Sequence, residues 1–212
     1  MISILIADDH PVVRRGLKEI LKEEKDLKIV DEASSAPEVF NVLRQKKIDI
    51  ILLDISMPGR SGLDIIPDIL NEFPSLLILA ISALQEETFA KRVIKAGAHG
   101  YLNKESAPEQ LIQAIRRIYS GKRYISEKFS EQLAESFVKG KKNKPHDDLS
   151  DREFEVLRYL GSGKTINEIA GILKLSATTI STYRARILSK TGLKNNSDLV
   201  KYCLNENISL LG

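Results

Sequence analysis

Five residues spread over the first half of the chain have side chains suited to joint work on a phosphate: the neighbouring pair Asp8 and Asp9, then Asp54, Ser82 and Lys104. Each ends or closely follows a short apolar run, so each falls where a strand would stop. Three carboxylates brought together repel one another unless one stays protonated or a cation joins them. Hard oxygen donors suit Mg²⁺, which accepts few protein ligands and keeps several waters. In such a cluster Asp54 would attack a phosphoryl group in line, with Lys104 holding one of its oxygens as a point charge. Ser82 would hydrogen-bond the group once attached. Taken singly these residues say little, because an Asp after a strand is ordinarily a turn former or a helix cap. The specific feature is their order on successive repeats.

Bringing them together requires a particular fold. The apolar runs at residues 2–7, 29–30, 48–53, 76–81 and 100–102 are short and rich in Ile, Leu and Val, as strands of a parallel sheet covered on both faces are. Between them lie segments with apolar residues at helical spacing: Val13, Leu17, Ile20 and Leu21; Val39, Val42 and Leu43; Leu63, Ile66, Ile69 and Leu70; Phe89, Val93 and Ile94; Leu111, Ala114, Ile115 and Ile118. Five strand–helix repeats predict a doubly wound α/β fold, (βα)5, with a parallel five-stranded sheet, right-handed crossovers and its ligand site at the carboxyl ends of the strands.

A further helix is expected over residues 126–138, followed by a polar stretch, 139–148, that Gly140 and Pro145 interrupt and that reads as a linker. Beyond it the pattern is helical only, with four helices expected at 151–161, 165–173, 177–191 and 197–206. Ser150 with Glu153, and Thr165 with Glu168, have capping-box spacing. The expected division is therefore 1–120, a helix and linker at 121–148, and an all-α four-helix domain at 149–212. The net charge of +3 is uneven: residues 1–120 carry −2, residues 121–149 carry +2 and residues 150–212 carry +3, which leans toward a polyanionic partner of the C-terminal part. No run of 18 apolar residues appears, the start is acidic rather than signal-like, and the one cysteine, Cys203, has no internal partner, as suits a reducing cytoplasm.

Within the C-terminal helices, Lys174-Leu175-Ser176 forms a turn short enough for a helix-turn-helix. Ile166, Ile169, Ala170 and Leu173 give the first of the pair an inner stripe; Ile180 and Ile187 point the second inward. At 100° per residue, Thr178, Ser181, Thr182 and Ala185 then face outward, flanked by Arg184, Arg186, Lys190 and Lys194. A small polar face edged with cations suits the major groove: the cations would grip phosphates, the hydroxyls would reach bases or phosphates, and Ala185 would meet a thymine methyl. A plain helical bundle with solvated Arg and Lys would look much the same.

Two resemblances draw these features together. Asp8-Asp9, the stretch Leu53-Asp54-Ile-Ser-Met-Pro-Gly59, Ser82-Ala83 and Lys104 resemble the signature of bacterial response-regulator receivers. The likeness implies Asp54 as phosphoacceptor, Mg²⁺ on Asp9, Asp54 and the Ser56 carbonyl with Asp8 beside it, and Ser82 and Lys104 in the family's hydroxyl and lysine roles. It also implies Tyr101 as a switch aromatic that turns inward when Ser82 moves toward the phosphate; without the likeness Tyr101 reads as a fixed, half-buried strand residue. Leu149–Leu157, Ile166–Ala170, Leu175–Ile180 and Lys190–Leu193 resemble the LuxR-type DNA-binding domain, and the whole is similar to the NarL/FixJ response regulators. That resemblance implies double-stranded DNA contacts through Thr178, Thr179, Ser181, Thr182, Arg184, Arg186, Lys190 and Lys194. It implies a sensor histidine kinase as phosphodonor and a homodimer formed through the last helix, where Leu199, Val200, Tyr202 and Cys203 supply apolar surface unless they pack on their own domain. The chain departs from many relatives in having Glu105, not proline, after the lysine, and Tyr183 and Thr191 where His and Leu are common. Two rivals stand beside this expectation. One is a metal-dependent phosphatase with Asp54 as nucleophile, which would use a second acid at position 56, where this chain has Ser. The other is a bundle that binds a partner protein.

Overall fold

The computed structural model describes residues 1–57, 60–83, 86–106, 108–127, 129–131, 144–206 and 208. Pro58 and Gly59, much of the helix expected over 126–138, and residues 139–143 of the expected linker lie outside them. The chain divides into two compact units, Met1–Ala134 and Glu135–Gly212.

The first unit alternates strands β1 (Ile2–Ala7), β2 (Leu27–Ala33), β3 (Ile50–Asp54), β4 (Leu77–Ser82) and β5 (Gly100–Asn103) with helices α1 (Pro11–Lys22), α2 (Ala36–Gln45), α3 (Gly62–Glu72), α4 (Glu86–Lys95) and α5 (Pro108–Tyr119). All strand pairs are parallel, in the order β2-β1-β3-β4-β5. Strand side chains alternate between faces. Ile4, Ile6, Ile50, Leu52, Leu79, Ile81 and Leu102 therefore share one buried cluster with Leu21 of α1 and Leu111, Ala114, Ile115 and Ile118 of α5. Leu5, Ile51, Leu53, Ile78, Ala80 and Tyr101 take the other face, and Val39, Ile66 and Phe89 of α2, α3 and α4 are buried with them in the unit. Each such Leu, Ile, Val or Phe side chain contributes roughly 1.5–3 kcal/mol on leaving water.

Strand register explains why distant residues meet. Ala7 pairs with Leu53, Leu53 with Ala80, and Ala80 with Tyr101. These four positions thus lie level, and Asp8, Asp54, Ser82 and Lys104 follow them by one to three residues. The break in strand order falls between β1 and β3, where ligand crevices of open α/β sheets form. Beyond α5 the chain returns to the sheet edge: Tyr101 N donates to Tyr124 O at 3.0 Å and Tyr124 N to His99 O at 3.0 Å. A Cβ at Gly100 would stand 2.8 Å from that Tyr124 oxygen, so the close approach needs glycine.

The second unit holds a short 3-10 turn, Pro145–Asp148, and helices α6 (Asp151–Gly161), α7 (Ile166–Leu173), α8 (Ala177–Thr191) and α9 (Asn196–Asn205). Both expected capping boxes form, Ser150 with Glu153 and Thr165 with Glu168. The turn between α7 and α8 passes through Lys174 in the left-handed region, φ 54°, where Leu175 N closes on Ala170 O. Phe154, Leu157, Ile169, Ile180, Ile187, Leu199 and Cys203 make the core. Of the two readings of Leu199 and Cys203, packing on their own domain is the one found: both are wholly buried there, and Tyr202 is engaged with His146 Nδ1 at 2.7 Å. On α9 the exposed large apolar residue is instead Leu204.

Candidate functional site

Asp54 closes β3, a strand with every side chain buried, and its own residue is 1% exposed. Burial pushes the Asp54 carboxyl above its ordinary range, and the neighbouring Asp8 charge adds to this; the Lys104 ammonium and the Ser56 amide pull the other way without cancelling it. Ser56 N donates to Asp54 Oδ1 at 2.9 Å. Lys104 Nζ stands 2.9 Å from Asp54 Oδ2 and 2.6 Å from Asp8 Oδ2. Burial alone would lower the lysine, but the two carboxylates hold it above its usual value, so it stays charged.

Ligand atoms of Asp8, Asp9, His10 and Asp54 all lie within 4.8 Å of one another. Asp9 Oδ1 is shut off from solvent with no hydrogen-bond partner; His10 Nδ1 is 3.0 Å away but not aligned to donate. A buried carboxylate oxygen left without a donor is costly, and a cation at this point would satisfy it. The carboxylate donors beside Asp9 are hard oxygens, so the residues present fit a Mg²⁺-sized ion.

Ser82 is fully buried at the end of β4, and Lys104 N donates to its carbonyl at 2.8 Å. Tyr101 has no exposed surface: the half-buried alternative is replaced by an aromatic ring already inside, on the same sheet face as Ser82. The Lys104–Glu105 peptide is trans.

In the second unit, Thr178, Ser181, Thr182, Ala185, Arg186 and Lys194 are exposed. Thr178, Thr179, Thr182, Tyr183 and Arg186 line a surface depression of about 290 Å³. Two hydroxyls are spent locally: Thr179 Oγ1 lies 2.8 Å from Ser176 Oγ, and Thr182 Oγ1 donates to Thr178 O at 3.0 Å. Two of the flanking cations are also engaged. Arg184 Nε donates to Asn196 Oδ1 at 2.7 Å, and Lys190 Nζ pairs with the buried Glu153 Oε2 at 2.7 Å.

Comparison with known proteins agrees with this arrangement in both halves. Residues 4–116 match the response regulator receiver domain, and residues 147–203 match the bacterial regulatory proteins of the luxR family. The chain is a LuxR-type response regulator. It is 34% identical over 209 residues to the response regulator UvrY of Escherichia coli (strain K12), covering 98% of this chain and 96% of that protein. Against the oxygen regulatory protein NreC of Staphylococcus carnosus it is 36% identical over 213 residues, covering 97% and 98%. Among solved structures it resembles RcsB from Salmonella enterica serovar Typhimurium bound to promoter rprA in the presence of phosphomimetic BeF3−, with a TM-score of 0.71 at 28% identity, covering 95% and 97%. The fold is accordingly a five-stranded parallel receiver fold with a helical DNA-binding domain.

One element of this response regulator's acidic site is not signalled by the sequence. Arg14, in the first turn of α1, donates through Nη1 to the Asp8 carbonyl at 2.6 Å and through Nε to Glu32 Oε2 at 3.0 Å. Neither its spacing nor its residue type announces that contact, since it joins a helix to an edge strand.

Proposed function

We propose that the chain is a phosphorylation-regulated transcription factor that accepts a phosphoryl group on Asp54 and binds double-stranded DNA through α8. The observation that carries the first part is the Lys104 ammonium shared by Asp54 and Asp8 at the break in strand order. An Asp54 oxygen attacks the phosphorus of a histidine-kinase phosphohistidine or a small acyl phosphate; a new P–O bond forms as the bond to the leaving group breaks. Mg²⁺ held by Asp9, Asp54 and the Ser56 carbonyl, with Asp8 beside it, would neutralise charge on the phosphoryl oxygens. Lys104 then exchanges an Asp54 oxygen for a phosphoryl oxygen, and Ser82 turns to donate to another. Tyr101, on the same face, follows Ser82 and completes a packing change with an electrostatic trigger.

The outward face of α8 supports the second part. Thr178 and Ser181 offer hydroxyls with no hydrogen bond among the described residues, and Arg186 and Lys194 offer cations at the rim. A homodimer placing two such helices would read half-sites about one helical turn, or a multiple, apart. RcsB has been solved as two dimers bound to two parallel DNAs. Relatives are regulators rather than enzymes, and Ser56 stands where an aspartate-based phosphatase would use its second acid. No helix among the described residues is long and apolar enough to cross a membrane, and a cytoplasmic regulator is the reading we adopt. The working division is receiver 1–120, helix and linker 121–148, and DNA-binding domain 149–212.

The test is to incubate the protein with acetyl phosphate and Mg²⁺, then measure oligomer size and retention on duplex DNA across a salt series. Phosphorylation should increase both, with retention falling steeply as salt rises. Retention that is flat with salt would point to a protein-binding bundle instead.

A further inference from the structure

We infer that Arg14 is a positioning residue for the divalent-cation site, acting through the Asp8 carbonyl and locked by Glu32. This rests on the reading of Asp8, Asp9 and Asp54 as the cation site.

The Asp8 peptide leaves the sheet at the end of β1 and must deliver two carboxylates, its own and that of Asp9, in fixed directions. Besides the Lys104 ammonium on its carboxylate, three contacts hold it. Its N–H donates to Ala33 O at the end of β2, at 3.0 Å. Its side chain accepts from His10 N at 2.8 Å, forming a tight local turn. Its carbonyl accepts from Arg14 Nη1 at 2.6 Å. Lys104 holds the Asp8 carboxylate, but of the contacts to the Asp8 backbone only the carbonyl's comes from a side chain, and it fixes the plane of the Asp8–Asp9 peptide, hence where the Asp9 carboxylate points.

Arg14 is held in turn. Its Nε donates to Glu32 Oε2 at 3.0 Å, while Lys18 Nζ takes Glu32 Oε1 at 2.6 Å. The guanidinium side chain is only 18% exposed. A fork-shaped donor that serves a carbonyl and a carboxylate at once is a geometry that arginine provides and lysine does not. Glu32 lies in edge strand β2, beside Ala33, which receives the Asp8 N–H. The clamp therefore ties the acidic turn to its own sheet through both backbone polar groups of Asp8.

Charge and geometry predict opposite outcomes. A cation beside a cation site is repulsive, so loss of Arg14 by charge alone would tighten Mg²⁺ binding. A lost positioning contact would loosen it, by the roughly tenfold or more typical when the support of a ligand is removed. The full-length unphosphorylated protein should be titrated with MgCl2 by calorimetry as wild type, Arg14→Gln and Arg14→Lys, each with its thermal unfolding midpoint. We expect the dissociation constant to rise about tenfold in R14Q. In R14K, which keeps the charge and loses the fork, a smaller rise is expected. Should R14Q not fold, R14K alone decides, since any loosening at constant charge is geometric. An unchanged or tighter constant in the folded variants overturns the proposal. Wild-type protein that takes up no Mg²⁺, or an Asp9→Asn variant that binds as wild type does, would overturn the site reading itself.

Discussion

Lys104 Nζ lies 2.9 Å from Asp54 Oδ2 and 2.6 Å from Asp8 Oδ2, so one ammonium joins carboxylates at the ends of two different strands. In the proposed function it would trade its Asp54 contact for one to the arriving phosphoryl oxygen. Replacing it by methionine, Lys104→Met, leaves two buried acids facing each other and removes a charged contact worth about 2 kcal/mol in the transition state. Labelling by acetyl phosphate at saturating Mg²⁺ should slow by about 30-fold. A variant labelled at the wild-type rate would mean that the lysine only balances charge at rest.

Gly62 opens α3 directly beneath the site. A Cβ built there would fall 2.0 Å from the Asp54 carbonyl oxygen and 2.9 Å from Ile55 Cα, both backbone atoms that cannot swing aside. Gly62→Ala should therefore push β3 and α3 apart, at a cost of about 1–3 kcal/mol, and slow labelling as well. Chemical denaturation, followed together with labelling, checks both effects; a variant as stable as wild type would show that the loop absorbs the methyl.

On α8, two cations that look alike in sequence differ in their partners. Lys190 is paired with Glu153, whereas Arg186 is exposed and has no ion pair among the described residues. If Arg186 meets a DNA phosphate, Arg186→Ala should reduce the slope of log K against log salt by about 0.9. Lys190→Ala should change that slope less and instead lower the unfolding temperature, because a buried carboxylate loses its counter-charge. Equal slope changes would mean that Lys190 leaves Glu153 when DNA arrives.

Glu153 also carries a pH prediction. Burial pushes its carboxyl up, but Lys190 and the Ser150 amide and hydroxyl outweigh this and hold it below the ordinary range. A folded-state value below the unfolded one gives stability that is full above the unfolded value, about 4.3, and lost as pH falls through the folded value. Glu153→Gln retains a capping-box side chain at that position. Its unfolding midpoint should thus vary less between pH 6 and pH 3 than that of wild type, the pH values here being about those that bracket the titration. An identical pH profile in the two proteins would assign the acid sensitivity elsewhere.

Much of this was legible in the residues. Wholly apolar strands announce themselves, and the register that levels β1, β3, β4 and β5 converts residues at their ends into neighbours. The expectation was weakest at β2, anticipated at 29–30 and found over Leu27–Ala33, because an edge strand tolerates Lys28, Asp31 and Glu32 that break the apolar pattern. The Arg14–Glu32 clamp left no trace, since no local spacing encodes a contact between a helix and an edge strand. Leu199 and Cys203 illustrate a different ambiguity. An apolar residue signals burial but not against what, and here the surface is their own domain.

The most direct test of the account is the mass of wild type and Asp54→Ala after incubation with acetyl phosphate and Mg²⁺. Wild type should gain one phosphoryl group and Asp54→Ala none. Equal labelling of the two proteins, or no labelling of wild type, would contradict it.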